Sequence, residues 1–329
     1  MVCASVIWLN YNSAHFIDIA LRSLESFLNL DFDDYEVIIV DNASTDGSFE
    51  LIKKYAEKRR GSVGIKIVRN SANLGYSGGM NRGWDARDPD SAYVAFANND
   101  LIATPHSLRG LIERMESEDD VGACSGLIYF GDGRTVYSAG GWVDELWRAH
   151  GICHKAPRDQ CVGIDKEYYV TYSDGAYSVV KVDAVKKAMP HGRPFIDEAF
   201  LYLDDYLLGL TLWNKGFKVK YFPEETAFHY HGKSIGTLSQ FYGYRAHIAL
   251  SRIVKTRFSN SLTLKLLMLE RKAYYSINRM KHRAYVEGVN LGRLIVSKIG
   301  QLNLYCAPHR KVSLIDAIST LVPVSYTHL

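Results

Sequence analysis

Two adjacent carboxylates, Asp204 and Asp205, stand inside the apolar stretch Phe200-Leu201-Tyr202-Leu203-Asp204-Asp205-Tyr206-Leu207-Leu208-Gly209-Leu210. Like charges in apolar surroundings raise each other's pKa, which suits one of them to accept a proton near neutral pH. The pair also reads as the first turn of a helix, where the dipole stabilises acids; a cap fixes the side chain, so capping and catalysis are compatible. Four further polar clusters each follow an apolar run directly: Asn10-Tyr11-Asn12, Asp41-Asn42, Asn70 to Gly79, and Asn98-Asn99-Asp100. Any one of them alone is an ordinary Asx turn. Four in series point to one ligand-lined edge, because ligands of parallel α/β sheets collect at the carboxyl ends of the strands.

Each cluster suits a different part of one ligand. Asp41, beside Asn42, is placed to accept a hydrogen bond from an imide N–H or a ribose hydroxyl, which fits a nucleotide. The segment from Asn73 through Gly75 and Asn81 to Gly83 is glycine-rich and leads into a helix, so its backbone amides can approach an anion. It lacks the GxGxxG and GxxxxGK[ST] spacings, which weakens dinucleotide-dependent and Walker-type alternatives. Asp100 is a candidate ligand for Mg²⁺ or Mn²⁺, ions commonly held by one carboxylate together with substrate phosphates and waters. His229-Tyr230-His231 offers imidazoles to complete such a site or touch the phosphates, and equally reads as structural.

The elements that must position these residues follow from periodicity. Apolar runs near 3–9, 35–40, 64–68, 92–97 and 121–128 are predicted strands; helical-period segments near 14–28, 48–59, 77–87 and 105–117 alternate with them. That is the pattern of a mostly parallel α/β sheet. Residues 129–167 show no clear period and read as a long excursion over the site. A strand and helix stretch follows from 168 to about 222, and from 237 onward the pattern is helical, with Leu262-Leu264-Leu266-Leu267-Leu269 and then Tyr274, Tyr275, Ile277 and Met280.

Charge divides the chain. Residues 235–329 hold 14 Lys and Arg against 3 Asp and Glu, net +11, whereas 1–234 hold 25 against 33, net −8. The expected organisation is an acidic catalytic body, 1–234, and a basic helical appendage, 235–329, suited to a solvated rim or to contact with anionic lipid. Five cysteines without a CxxC pair indicate neither a zinc knuckle nor a disulfide framework and favour a reducing compartment. The N-terminal stretch reads as a core strand rather than a signal peptide. No apolar run reaches the roughly 18–20 residues of a spanning helix; Val312 to Val324 is short and contains Asp316. The expected location is cytoplasmic, peripheral at the inner face of the membrane, and no nucleic-acid partner is expected.

In order and spacing, Ser5 to Ser13, Val40 to Ser48, Asn73-Leu74-Gly75-Tyr76, Asn98-Asn99-Asp100, Asp174-Gly175-Ala176, Asp204-Asp205 and His229 to Ser234 resemble family 2 glycosyltransferases, especially the rhamnosyltransferase-like branch. The resemblance spans about 4–255. It implies a GT-A (nucleotide-diphospho-sugar transferase) fold and inverting transfer from a nucleoside-diphosphate sugar, dTDP-rhamnose or UDP-hexose, to a glycan or lipid-linked acceptor. By position it implies that Asp41 binds the base, that Asn10 and Asn12 belong to the nucleotide loop, and that Asn98 and Asp100 stand at the DXD-type motif. Asp205, with Asp204, takes the place of the general base, and His229 that of a metal or diphosphate contact. Leu207 or Leu208 and Thr211 replace an Asp and an Arg of many relatives; Lys233 and Arg245 are the alternative cations. A non-catalytic sugar-nucleotide- or glycan-binding protein is the other reading of the same motifs.

Overall fold

The structure is a computed structural model that describes residues 3–59, 63–230, 238–259, 262 and 279–319. Its first half alternates strands and helices: β1 (Ala4–Asn10), α1 (Ile17–Leu28), β2 (Tyr35–Asp41), α2 (Ser48–Lys58), β3 (Gly64–Arg69), α3 (Gly75–Ala86), β4 (Tyr93–Asn98), β5 (Leu101–Ala103) and α4 (Ser107–Glu116). β6 (Val121–Phe130), β7 (Val136–Ser138), β8 (Gly141–Asp144), β9 (Ala149–Gly151), β10 (Tyr168–Tyr169), β11 (Tyr177–Lys181), α5 (Val182–Ala188), α6 (Asp204–Asn214) and β12 (Lys218–His229) follow.

The main sheet runs β10-β12-β6-β11-β4-β1-β2-β3. β1 to β4 are parallel, as expected, but β11 inserts antiparallel between β4 and β6. Both faces are covered, so the central strands are continuous apolar runs. Ile7, Ile38, Val94 and Phe96 enter one buried cluster, and Val6, Trp8, Val37, Ile39 and Ala95 the other. The parallel register sets Asn10 beside Asp41 and Leu9 beside Asn98, which brings the strand-end polar residues to one edge. α3 lies close against that edge because Gly83 faces Ile7, whose side chain occupies the space a Cβ would need.

The excursion is more ordered than its sequence implies. β8 pairs with β9 on one side and with β15 (His309–Arg310) on the other, and Val143, Leu146 and Trp147 are buried. Strands of three or four residues are too short to carry a visible period. Beyond β12 lie α7 (Leu238–Ile253), β13 (Val254–Lys255), α8 (Arg279–Ile299) and β14 (Leu302–Asn303), so the C-terminal part is helical with short strand pairings. Ala246, Leu250, Ile253, Leu291 and Leu304 enter the same buried cluster as Leu207 and Leu208 of α6.

Glu145 ties the two parts together. It is buried, pairs with Arg257 at 2.9 Å, and accepts hydrogen bonds from Val312 N at 2.8 Å and the Tyr305 hydroxyl at 3.2 Å. Among the described residues no helix is long and apolar enough to cross a membrane. Lys233, the boundary at Ser234, the apolar series from Leu264 to Ile277 and the tail from Leu321 lie outside the described residues.

Candidate active site

A cleft of about 570 Å³ opens at the strand edge. One half is the polar edge read from the sequence. Leu9, Tyr11, Asn42, Asn73, Gly75, Asn98, Asn99 and Asp100 line it. Asn10 and Asp41 stand one layer behind, with no exposed surface. Asn10 Nδ2 donates to Asp41 Oδ1 at 2.9 Å, while Asn10 Oδ1 accepts from Ser13 Oγ at 2.6 Å and Asn99 Nδ2 at 2.9 Å. Asp41 Oδ2 accepts from Ser44 N at 3.0 Å and faces Arg69 at 3.6 Å.

Both side chains are thus enclosed and engaged with protein partners. Asn42 reaches the cleft, but its amide bridges Asn73 and Gly75, and its oxygen accepts from Asn70 and Leu74 N. Asn12 takes a left-handed backbone (φ 46) and caps Thr45 N at 2.9 Å, shaping the loop beside Tyr11.

Asn81 and the amides that open α3 are engaged in the same way. Asn81 is buried and bridges to Phe195 O at 2.8 Å and Asp197 at 2.7 Å, so it joins α3 to the 195–197 segment and does not reach the cleft. The amides that open α3 are not free for an anion. Gly75 N donates to Asn73 Oδ1 at 2.9 Å, and Tyr76 N and Ser77 N both donate to Phe200 O, at 2.7 and 3.3 Å. Gly75 itself has φ 69, and a Cβ there would run into the Phe200 carbonyl and ring.

The other half of the cleft is carboxylates and aromatic rings. Asp204 and Asp205 open α6, as their spacing suggested, and face Asp174 from the turn before β11. Asp204 is buried, and its Oδ1 has no hydrogen-bond partner. Burial pushes its carboxyl up to about 6. Burial also lifts Asp205 well above the usual carboxylate range, reinforced by the charges of Asp204 and Asp174. The raised proton affinity of both carboxyls suits one of them to accept a proton. Tyr76, Tyr137, Tyr172 and Tyr206 are held as neutral phenols, chiefly by burial and then by these carboxylates.

Phe200 (φ 63) and Tyr202 (φ 66) hold left-handed backbone just ahead of the pair. Such strain persists only where surrounding contacts fix it. Here the bonds to Phe200 O and the Arg245 guanidinium donating to Ala199 O do so.

Asp100 and His229 converge between the two halves. β12 pairs with β5 and β6, setting His229 opposite Leu101 and Phe130, and His229 Nε2 lies 2.9 Å from Asp100 Oδ1. The ring packs edge-on against Tyr137, with centroids 4.3 Å apart. Among the described residues no group of three or more His, Cys, Asp or Glu side chains is arranged to hold a metal ion by itself. One carboxylate and one imidazole facing the cleft fit an Mg²⁺ or Mn²⁺ ion that takes its remaining ligands from phosphates and water.

The aromatic wall was not legible in the sequence as a site. Tyr76, Tyr137, Tyr172, Tyr202, Tyr206 and Tyr242 come from separate segments, and nothing but a high tyrosine count, 22, hints at them.

The architecture, a mixed α/β sheet with its polar edge and acidic pair at one cleft, is the GT-A fold. Residues 5–162 match the model of glycosyl transferase family 2. It is 34% identical over 136 residues to an uncharacterised glycosyltransferase of Nostoc sp., covering 41% of this chain and 40% of that protein. The chain thus matches less than half the length of that relative. Over 220 residues it is 26% identical to the N-acetylglucosaminyl-diphospho-decaprenol L-rhamnosyltransferase of Mycobacterium tuberculosis, covering 61% of this chain and 68% of the relative.

Among solved structures it resembles the Pyrobaculum calidifontis mannosyltransferase in complex with GDP-Man and Mn²⁺ (TM-score 0.55, 16% identity, 91% of this chain and 76% of that one). It also resembles GalNAc-T7 with UDP, GalNAc and Mn²⁺ (TM-score 0.62, 11% identity, 91% and 58%). At these identities the likeness is one of fold.

Proposed function

We propose that this chain is an inverting glycosyltransferase that moves a sugar from a nucleoside-diphosphate donor, of the dTDP-rhamnose or UDP-hexose type, to a hydroxyl of a glycan or lipid-linked acceptor in cell-surface polysaccharide or glycoconjugate synthesis. The observation that carries this reading is the meeting, in one cleft, of the strand-end polar edge with a buried carboxylate pair of raised proton affinity. The mycobacterial rhamnosyltransferase supports the same class of reaction.

Tyr11 and the edges of Asn42 and Asn73 hold the nucleotide, kept in register by the enclosed Asn10–Asp41 layer. The acceptor hydroxyl gives its proton to Asp205 while its oxygen attacks the anomeric carbon, and the bond from that carbon to the diphosphate breaks on the opposite face. Burial and then the charge of Asp204 raise the affinity of Asp205 for that proton. Asp100 and His229 would hold Mg²⁺ or Mn²⁺, which when bound neutralises the leaving diphosphate. The working organisation is a catalytic domain over 1–234 with a basic region over 235–329 that rests on anionic lipid at the cytoplasmic face of the membrane.

The test is calorimetry of UDP, dTDP and GDP with and without Mn²⁺. Expected is metal-dependent, base-selective binding that Asp100→Ala weakens at least tenfold (roughly 1.4 kcal/mol) and that raises the unfolding temperature by mass action. A folded chain that binds none of the three leaves only the non-catalytic reading.

A further inference from the structure

The side of the cleft that faces Asp204 and Asp205 is built for a second ring. Phe200 and Tyr242 both line it and stack on each other, with centroids 5.2 Å apart and planes 25° from parallel. Tyr202 and Ser239 of α7 line the cleft with them. The stack is fixed from behind. Phe200 O is held by the α3 amides, and the Arg245 guanidinium sits 5.1 Å over the Tyr242 ring while donating to Ala199 O. A rigid aromatic wall of this kind binds an apolar face at low entropic cost. Its polar fringe, a phenol and a hydroxyl, offers hydrogen bonds to a ring's substituents.

Charge narrows the choice. The acidic side chains on the cleft are Asp100, Asp174, Asp204 and Asp205, and the other titratable groups that line it are His229 and tyrosine phenols. No Lys or Arg among the described residues lines it. A carboxylate or phosphate on the bound ring would stand against that cluster in a low-dielectric cleft, where repulsion is strong. A neutral pyranose meets no such repulsion, and it offers one C–H face to an aromatic ring and equatorial hydroxyls to the polar fringe. Asp204, buried, with an oxygen that no protein group engages, waits for a donor at the same place.

We infer that Phe200, Tyr202, Ser239 and Tyr242 form the acceptor subsite and that it takes an uncharged sugar ring. This rests on the transferase reading above. It goes further in assigning acceptor choice to α7, which lies outside the family-matched residues 5–162.

Saturation-transfer NMR on the full chain with UDP or dTDP and Mn²⁺ tests it, using methyl glucoside, methyl galactoside and methyl N-acetylglucosaminide against methyl glucuronide and glucose 6-phosphate. Neutral glycosides should receive saturation at their C–H protons. Tyr242→Ala should weaken their binding about fivefold, the size expected for one lost ring contact, and Tyr242→Phe should keep it. Preference for the anionic sugars, or equal binding by Tyr242→Ala, overturns the assignment. Nucleotide binding by calorimetry on the same sample separates the two failures. If nucleotide binds and neutral sugars do not, only this inference falls; if neither binds, the transferase reading falls with it.

Discussion

Behind the cleft and at its acceptor side lie two polar clusters built from the same residue types. In the first, Asn10, Asp41 and Asn42 exchange hydrogen bonds until both polar ends of each side chain are engaged. In the second, Asp204 keeps a buried oxygen without a partner, Asp205 is crowded by two like charges, and the adjoining backbone is left-handed at Phe200 and Tyr202. A satisfied buried network stiffens a fold, and an unsatisfied one stores reactivity at a cost in stability. On the proposed reading, Asp41 at the end of β2 serves stability and Asp205 in the first turn of α6 serves chemistry.

Substitutions should separate the two. Asp205→Asn is expected to lower transfer by about 10³-fold, within the usual range for a positioned proton acceptor, with nucleotide affinity retained; single-turnover kinetics beside calorimetry measures both. Near-normal transfer would move the base to Asp204 or to water. Asp41→Ala should cost about 3 kcal/mol in urea unfolding, because Asn10 Nδ2 and Ser44 N lose their buried acceptor. A loss under about 1 kcal/mol would remove Asp41 from the scaffold.

The smallest effect has a sign that distinguishes the clusters most sharply. The folded Asp204 carboxyl is raised from 3.8 to about 6, so its contribution to stability is complete below the unfolded value and is lost as pH rises through about 6. Asp204→Asn should therefore stabilise the chain by up to about 3 kcal/mol at pH 8 and make little difference near pH 4. Thermal unfolding across that range reads it directly. The wild-type transfer rate should fall as pH drops and Asp205, whose proton affinity lies well above the usual carboxylate range, becomes protonated, which a pH profile of kcat/KM checks.

Much of this was readable in the sequence. The five strand positions, the helices between them and the placing of Asp204-Asp205 at a helix start follow from periodicity and capping chemistry that each segment carries within itself. Roles within the edge were harder to read. Asp41 and Asn42 are neighbours, yet one is enclosed and the other lines the cleft, because successive strand residues point to opposite faces and the chain turns at that point. Asn81 looks like part of a glycine-rich ligand loop, but its partner Phe195 is 114 residues away. Tyr242 was hidden for the same reason: a ring contributes to a wall only once distant segments have been folded against it.

Trp147 and Glu145 carry a consequence for how the chain can be divided. The Trp147 indole donates to Val254 O at 2.8 Å, the Glu145 carboxylate depends on Arg257, and the Thr171 hydroxyl donates to Pro308 O. A chain ending after Ser234 would leave an indole N–H and a carboxylate orphaned in the excursion beside the cleft. It would also strip the acceptor wall of Tyr242. Limited proteolysis that removes the basic region should therefore release a fragment that is sticky and easily digested, rather than a smaller working unit.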